Sequence, residues 1–262
     1  MLYKQAITWL YGLEGHGIKL GLSNIKKLLK HFGNPHLSYP VILIAGTNGK
    51  GSTASFIAHI LMESGLKVGL YTSPHLITIR ERISVLQRGK RIDIPPAKIA
   101  NLVVRLKKGI KGIFNPPYSY PTFFEVLTTL SFLYFGEEKV DVAVYEVGLG
   151  GRLDATNISE PFLCVITDIA LEHTDYLGNT LNSIAKEKGG IIKKNIPLIT
   201  GCKGEALDTL MEIAKEKNAP IFVWGKDFSL KNAKEENSYQ KLDIQGLKDF
   251  YPHILIPLNM AK

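Results

Sequence analysis

Val41-Ile42-Leu43-Ile44-Ala45-Gly46-Thr47-Asn48-Gly49-Lys50-Gly51-Ser52-Thr53 joins an apolar strand, a glycine-rich turn and the start of a helix. Glycines let successive backbone N–H groups curl around phosphate oxygens, and the helix N-terminus adds positive potential. In such a loop Lys50 would neutralise the β- and γ-phosphates, and Ser52 or Thr53 would ligate Mg²⁺. The bland alternative is a strand–turn–helix joint without a ligand. The pattern implies a nucleoside triphosphate site.

Outward from this loop, apolar strand-like runs alternate with helical patterns, which predicts an α/β fold with a mostly parallel wound sheet flanked by helices. Residues 1–10 and 23–32 read as amphipathic helices. Strands are expected at 41–45, 67–71, 140–147, 162–169, 197–200 and 220–224. Helices are expected from the loop to about Ser64, over 97–108, from Thr122 to Phe135, over 181–192 and over 203–217. Residues 77–96 read as an extended, charged excursion with a hairpin turn at Arg88-Gly89-Lys90, and 115–121 as a loop. From Lys226 to Tyr251 the chain is polar and weakly patterned, ribbon or loop, before a short strand at 253–257. The whole is read as one domain over 1–262, with N-terminal helices at 1–40, the phosphate-loop core at 41–225 and the polar remainder at 226–262.

The 262 residues carry a formal net charge of +8, with 32 Lys and Arg against 24 Asp and Glu. The lysines are scattered along amphipathic helices, as in Lys26-Lys27-Leu28-Leu29-Lys30. No basic stripe interleaved with aromatics suggests nucleic acid, while a mild positive field suits anionic ligands. Two cysteines are too few for a disulfide framework, and Cys164 sits in an apolar run as a core thiol. No apolar run approaches membrane-spanning length and no charged-then-apolar leader opens the chain. A cytoplasmic protein, without membrane partners, is expected.

Three further residues lie where parallel sheets bind ligands, just past the carboxyl ends of strands or near them, and a fourth, Lys188, lies at an expected helix end. Glu146 ends an apolar strand and would ligate Mg²⁺ near a phosphate loop, unless it merely caps the glycine turn that follows. His173 follows the 162–169 strand, and Ser73 follows 67–71. Lys188 precedes two glycines and by itself reads as a surface lysine. Taken singly, each has an ordinary structural explanation.

Their surroundings are more specific. GTNGKGS at 46–52 carries an extra glycine between lysine and hydroxyl, a spacing that points to enzymes activating a carboxylate with ATP and joining it to an amine. With Ser73-Pro74-His75-Leu76, the run from Glu146 to Asn157, His173-Thr174-Asp175-Tyr176-Leu177-Gly178 and Lys186-Glu187-Lys188-Gly189-Gly190-Ile191-Ile192-Lys193, it resembles the folylpolyglutamate synthase/dihydrofolate synthase family, a branch of the Mur ligase superfamily. The motifs appear in family order over most of residues 19–194.

The resemblance implies a Mur ligase central-domain-like fold. Asn48, Gly49, Lys50, Gly51 and Ser52 would hold the triphosphate of ATP. Ser73, Glu146 and His173, with Ser52, would hold Mg²⁺, and Lys188 would carry CO₂ as a carbamate. Lys50, Lys188 and His173 would serve the chemistry. Leu20-Gly21, Thr122-Phe123-Phe124-Glu125 and Leu153-Asp154-Ala155 match regions that hold the pterin, with Phe123 or Phe124 as the stacking surface. The implied reaction is ATP-dependent ligation of L-glutamate to a folate or dihydropteroate carboxylate through an acyl phosphate.

Three departures from the family pattern stand out. Glu172 replaces the usual aspartate before the histidine, Gly189 replaces alanine after the lysine, and the chain stops at Asn259-Met260-Ala261-Lys262, about where the linker to a C-terminal ligase domain is expected. The expected arrangement is therefore this part without that domain, the site being completed by a separate C-terminal domain or by self-association. The alternative is an ATP- or pterin-binding remnant that does not complete ligation. A peptidoglycan-precursor ligase fits less well, because RLDATN and SPHL resemble the folate branch.

Overall fold

All five residues of the first strand, β1 (Val41–Ala45), are buried, as a central parallel strand covered on both faces requires. The computed structural model describes every residue except 18–20, 116–119, 237 and 258–262. Two helices precede β1, α1 (Tyr3–Gly12) and α2 (Ser23–His31), and α3 (Lys50–Glu63) follows it. The chain then forms β2 (Val68–Tyr71), β3 (Ile83–Gln87), β4 (Lys90–Asp93), α4 (Pro96–Ile113), α5 (Phe123–Glu138), β5 (Val142–Glu146) and β6 (Pro161–Ile166). Next come α6 (Thr174–Leu177), α7 (Leu181–Gly189), β7 (Leu198–Thr200), α8 (Gly204–Glu216), β8 (Ile221–Val223), β9 (Ser229–Glu236), β10 (Tyr239–Gln245) and β11 (Phe250–Pro257).

The main sheet has the order β4-β3-β2-β5-β1-β6-β7-β8. The β2-β5-β1-β6-β7-β8 stretch is parallel throughout, and the β3–β4 hairpin adds antiparallel strands at one edge. The expected turn is there, with Arg88 and Gly89 both at positive φ. The chain leaves β1 toward β2 on one side and leaves the neighbouring β5 toward β6 on the other, so the two connections run in opposite directions. Such a reversal opens a crevice at the carboxyl ends of the strands. One face of the sheet carries the large core, with Leu43, Tyr145, Cys164 and Leu198 packed against helix residues such as Leu10, Leu28, Leu106, Phe132 and Leu210. The other face packs Ile42, Ile44, Val68, Leu70 and Val144 on Ala54, Ala58 and Met62 of α3. Cys164 is a fully buried free thiol, and burial pushes it up to about 12.

Several ends shift by a few residues, as where the strand expected over 162–169 runs Pro161–Ile166, and three differences have a clear physical reason. Helix α4 continues past Lys108 to Ile113, because Ile110 keeps the apolar face going into the core. The helix expected over 181–192 ends at Gly189, with Gly190 as its cap, and Ile191 and Ile192 turn into the core. The polar stretch after Lys226 is a separate three-stranded antiparallel sheet, β11-β10-β9, with Leu242 its well-buried apolar residue. Of the expected loop 115–121, residues 116–119 lie outside the described residues. No helix of the described residues is long and apolar enough to cross a membrane.

Strand β2 passes directly beneath α5: a Cβ at Gly69 would lie 2.9 Å from Phe135 ring carbons. Gly69→Ala should therefore overpack this contact and cost about 1–3 kcal/mol. A lowered urea midpoint with an unchanged slope is the expected outcome, and an unchanged midpoint would mean that Phe135 yields freely.

Candidate active site

Gly46 follows β1 at φ +142°, and a Cβ there would fall 1.9 Å from Thr167 Oγ1, so only glycine fits. This close approach brings two lysines to one carbonyl. Lys50 Nζ donates to Gly46 O at 2.9 Å and to Thr47 O at 2.8 Å. Lys188 Nζ donates to the same Gly46 O at 2.8 Å and to Glu172 Oε1 at 2.5 Å. Lys188 is 1% exposed, not the surface lysine that its neighbours alone suggest. Burial lowers its pKa against the opposing pull of Glu172. Burial also works to raise Glu172, but its hydrogen bond to the Lys188 ammonium wins and holds the carboxyl below its ordinary value.

Glu146 is 4% exposed at the end of β5. Its Oε2 accepts the Ser73 N–H at 2.8 Å and would lie 3.2 Å from a Cβ at Gly51, so the acid sits against the first turn of α3. Burial pushes the Glu146 carboxyl up, against the Ser73 N–H and the charges of Lys50 and Arg82. An incompletely neutralised carboxylate held beside the hydroxyl-bearing residues Ser52 and Ser73 is a set of hard oxygen donors. Among the described residues no three His, Cys, Asp or Glu side chains form a metal-holding group; the set here mixes one carboxylate, two serines and His173.

These residues open onto a cavity of about 820 Å³. Asn48, Gly49, Lys50, Gly51 and Ser52 line one wall, and Ser73, Glu146 and His173 line it nearby. Gly21, Thr122, Phe123, Phe124 and Glu125 face the same space, as do Leu153, Asp154 and Ala155. Leu20 lies outside the described residues. Lys188 lies behind the wall, under Gly46, rather than in it.

Several of these side chains also hold the wall itself. Thr122 caps α5 by accepting the Glu125 N–H at 3.2 Å, while Glu125 Oε2 accepts the Thr122 N–H at 2.8 Å. Asp154 Oδ2 accepts the N–H groups of Gly148 and Leu149 at 3.0 Å each. Its Oδ1 accepts from Thr156 N at 2.9 Å and from Thr156 Oγ1 at 2.6 Å. Burial nevertheless pushes Asp154 above its ordinary value. Of the two phenylalanines left open by the sequence, both line the cavity. Phe123 already stacks on Tyr11, with centroids 5.8 Å apart, and Phe124 packs its ring under Gly148.

Sequence reasoning missed Asp168, Arg82 and Tyr11. Asp168 accepts from Asn48 N and Nδ2, and its signal was an acid just past β6. Arg82 lines the cavity with its guanidinium 5.6 Å from the Phe123 ring centroid. His75 Nδ1 accepts from Arg82 Nε at 2.8 Å, which leaves the proton of the neutral ring on Nε2, 3.3 Å from Tyr11 Oη. Nothing in local spacing joins these residues, because the contacts bridge separate elements.

With this geometry in view, comparison with known proteins is informative. The family model described as Mur ligase middle domain matches residues 44–258. The chain belongs to that family. It is 43% identical over 221 residues to a dihydrofolate synthase/folylpolyglutamate synthase of Bacillus subtilis, covering 84% of this chain and 50% of the relative. It is 44% identical over 262 residues to a folylpolyglutamate synthase of Lacticaseibacillus casei, covering 98% of this chain and 60% of that one. A solved FPGS-AMPPCP-folate complex superposes with a TM-score of 0.88 at 34% identity, covering 98% of this chain and 62% of its own. The chain thus spans between half and two thirds of these relatives.

Asp154→Ala would leave the N–H groups of Gly148, Leu149 and Thr156 to find other partners. Each buried donor left unmade costs about 1–3 kcal/mol, so a loss of several kcal/mol on urea unfolding is expected. A loss below about 0.5 kcal/mol, the scale of an ordinary surface change, would show that water replaces the carboxylate.

Proposed function

We propose that this chain is the nucleotide-binding part of an ATP-dependent amide-forming ligase of the folylpolyglutamate/dihydrofolate synthase type, which joins L-glutamate to the carboxylate of a folate or dihydropteroate. The observation that carries the reading is the glycine-rich loop on the cavity wall, with Lys50 in it and Ser73 and the buried Glu146 carboxylate beside it. The Lys50 ammonium and the N–H groups of 48–52 on one cavity wall suit the triphosphate of ATP. The relative bound to AMPPCP and folate supports the same pairing of nucleotide and pterin.

The chemistry follows from what a carboxylate lacks. Its charge is delocalised and its leaving group is poor, so an amine does not displace it directly. Attack of a carboxylate oxygen on the γ-phosphorus forms the acyl phosphate and releases ADP. The glutamate amine then adds to the acyl carbon, phosphate leaves, and the amine's proton passes to solvent. The chain's part is to align the two reactants and to offset developing charge with Lys50. Gly21, Thr122, Phe123, Phe124, Glu125, Leu153, Asp154 and Ala155 form the pterin side of this reading.

Mg²⁺ fits the donor set: Ser52, Ser73 and Glu146 would hold it, with His173 beside them. When bound, it supplies screening of phosphate charge. Carbamylation of Lys188 also belongs to the reading. Burial favours the neutral amine that adds CO₂, and the carbamate would replace the ion pair with Glu172.

A second reading keeps the site without the reaction: residues 1–262 form one Mur ligase-type unit that binds ATP or pterin and does not complete ligation by itself. We place both readings in the cytoplasm, with small molecules rather than nucleic acid as partners.

The test is incubation with ATP, Mg²⁺, bicarbonate, L-glutamate and either dihydropteroate or tetrahydrofolate, read by mass spectrometry. A pterin product heavier by one glutamyl unit supports the ligase. Nucleotide binding without product favours the second reading, and neither binding nor product overturns both. Lys50→Ala should weaken nucleotide binding at least tenfold, about 1.4 kcal/mol or more; unchanged affinity would remove Lys50 from the site.

A further inference from the structure

The N–H groups of a glycine-rich loop form a nest for anions, and part of that nest is already occupied by the protein's own carboxylate. Asn48 N donates to Asp168 Oδ1 at 2.6 Å, and Asn48 Nδ2 donates to Oδ2 at 3.1 Å. The same short segment grips the loop at three more points. Thr47 N donates to Asp168 O at 2.9 Å, Thr167 Oγ1 donates to Asn48 O at 2.7 Å, and Ala170 N donates to Thr47 Oγ1 at 3.0 Å. Asp168 is half-buried past the end of β6, so its carboxylate remains within reach of solvent beside Asn48 of the cavity wall. It also lies close enough to Lys188 for its charge to be felt there.

A carboxylate oxygen and a phosphate oxygen are the same kind of acceptor for a backbone N–H, and both are anionic. A triphosphate arriving at Asn48 meets an occupied donor and a like charge. We propose that Asp168 sets the nucleotide affinity of this loop, as an internal anion that latches the Thr47–Asn48 half in place and competes with the incoming phosphate. The inference rests on the nucleotide reading above. The latch and the charge are separable in Asp168→Asn. The amide oxygen of that variant still accepts the Asn48 N–H, a flip of the Asn48 amide lets its Oδ1 accept from the new NH2, and the Thr47, Thr167 and Ala170 bonds are untouched, while the negative charge is gone. Asp168→Glu keeps the charge.

The experiment is calorimetric titration of the chain with Mg²⁺-AMPPCP, and separately with inorganic triphosphate, for wild type, Asp168→Asn, Asp168→Ser and Asp168→Glu. Asp168→Asn should bind both ligands about five- to tenfold more tightly, with the gain shrinking at high salt as screening removes the repulsion. Asp168→Ser, neutral and smaller, should also tighten, and Asp168→Glu should not. A purely structural role predicts the opposite, because disturbing the loop weakens binding. Equal or weaker binding by both neutral variants overturns this inference and leaves the nucleotide reading standing. Absence of saturable binding by wild type and by both neutral variants overturns the nucleotide reading, and this inference with it.

Discussion

The carbonyl oxygen of Gly46 accepts hydrogen bonds from two ammonium groups, Lys50 and Lys188, and the site is arranged around that convergence. Carboxylates stand around these two side chains. Glu172 supplies one at 2.5 Å from Lys188, Asp168 lies beside the loop, and Glu146 stands on the other side of Gly51. The convergence also fixes backbone geometry. With Thr167 pressed against Gly46, strands β1 and β6 deliver the loop and the 167–173 segment to the same place.

The opposite wall is built differently. There the polar side chains are largely committed to the backbone: Asp154 to the turn at 148–149, Thr122 and Glu125 to the start of α5. They give the cavity its shape while facing into it. A flat ligand would meet Phe123 and Phe124 on a surface that Asp154, Thr122 and Tyr11 keep rigid. A charged wall facing an aromatic one is a division of labour suited to a ligand pair of which one member is a polyanion and the other an aromatic acid.

What the sequence disclosed was local. Val41–Ala45 emerges as β1 with its expected bounds, because five apolar residues before a glycine turn leave little choice. Thr122 emerges as a cap because its glutamate stands three residues on. The candidate residues from Asn48 to Ser52, with Ser73, Glu146 and His173, share one cavity, since all lie at carboxyl ends of parallel strands. Lys188 was legible only through its motif, for its burial under Gly46 depends on the fold of α7. Asp168 and Arg82 were not legible, because their partners are 120 residues away in one case and on another element in the other. The sheet of β9, β10 and β11 was obscured by charged residues on its strands, which blur a period of two.

The loop at 46–52, with its N–H groups and Lys50, is read here as a polyphosphate site. A crystal structure of this chain with AMPPCP and Mg²⁺ tests it most directly. The account predicts phosphate oxygens along the N–H groups of 48–52, Lys50 Nζ turned from the Thr47 carbonyl to the terminal phosphate, and Lys188 still beneath Gly46. A nucleotide bound elsewhere, or Lys50 left on Thr47 with the triphosphate out of its reach, would contradict it.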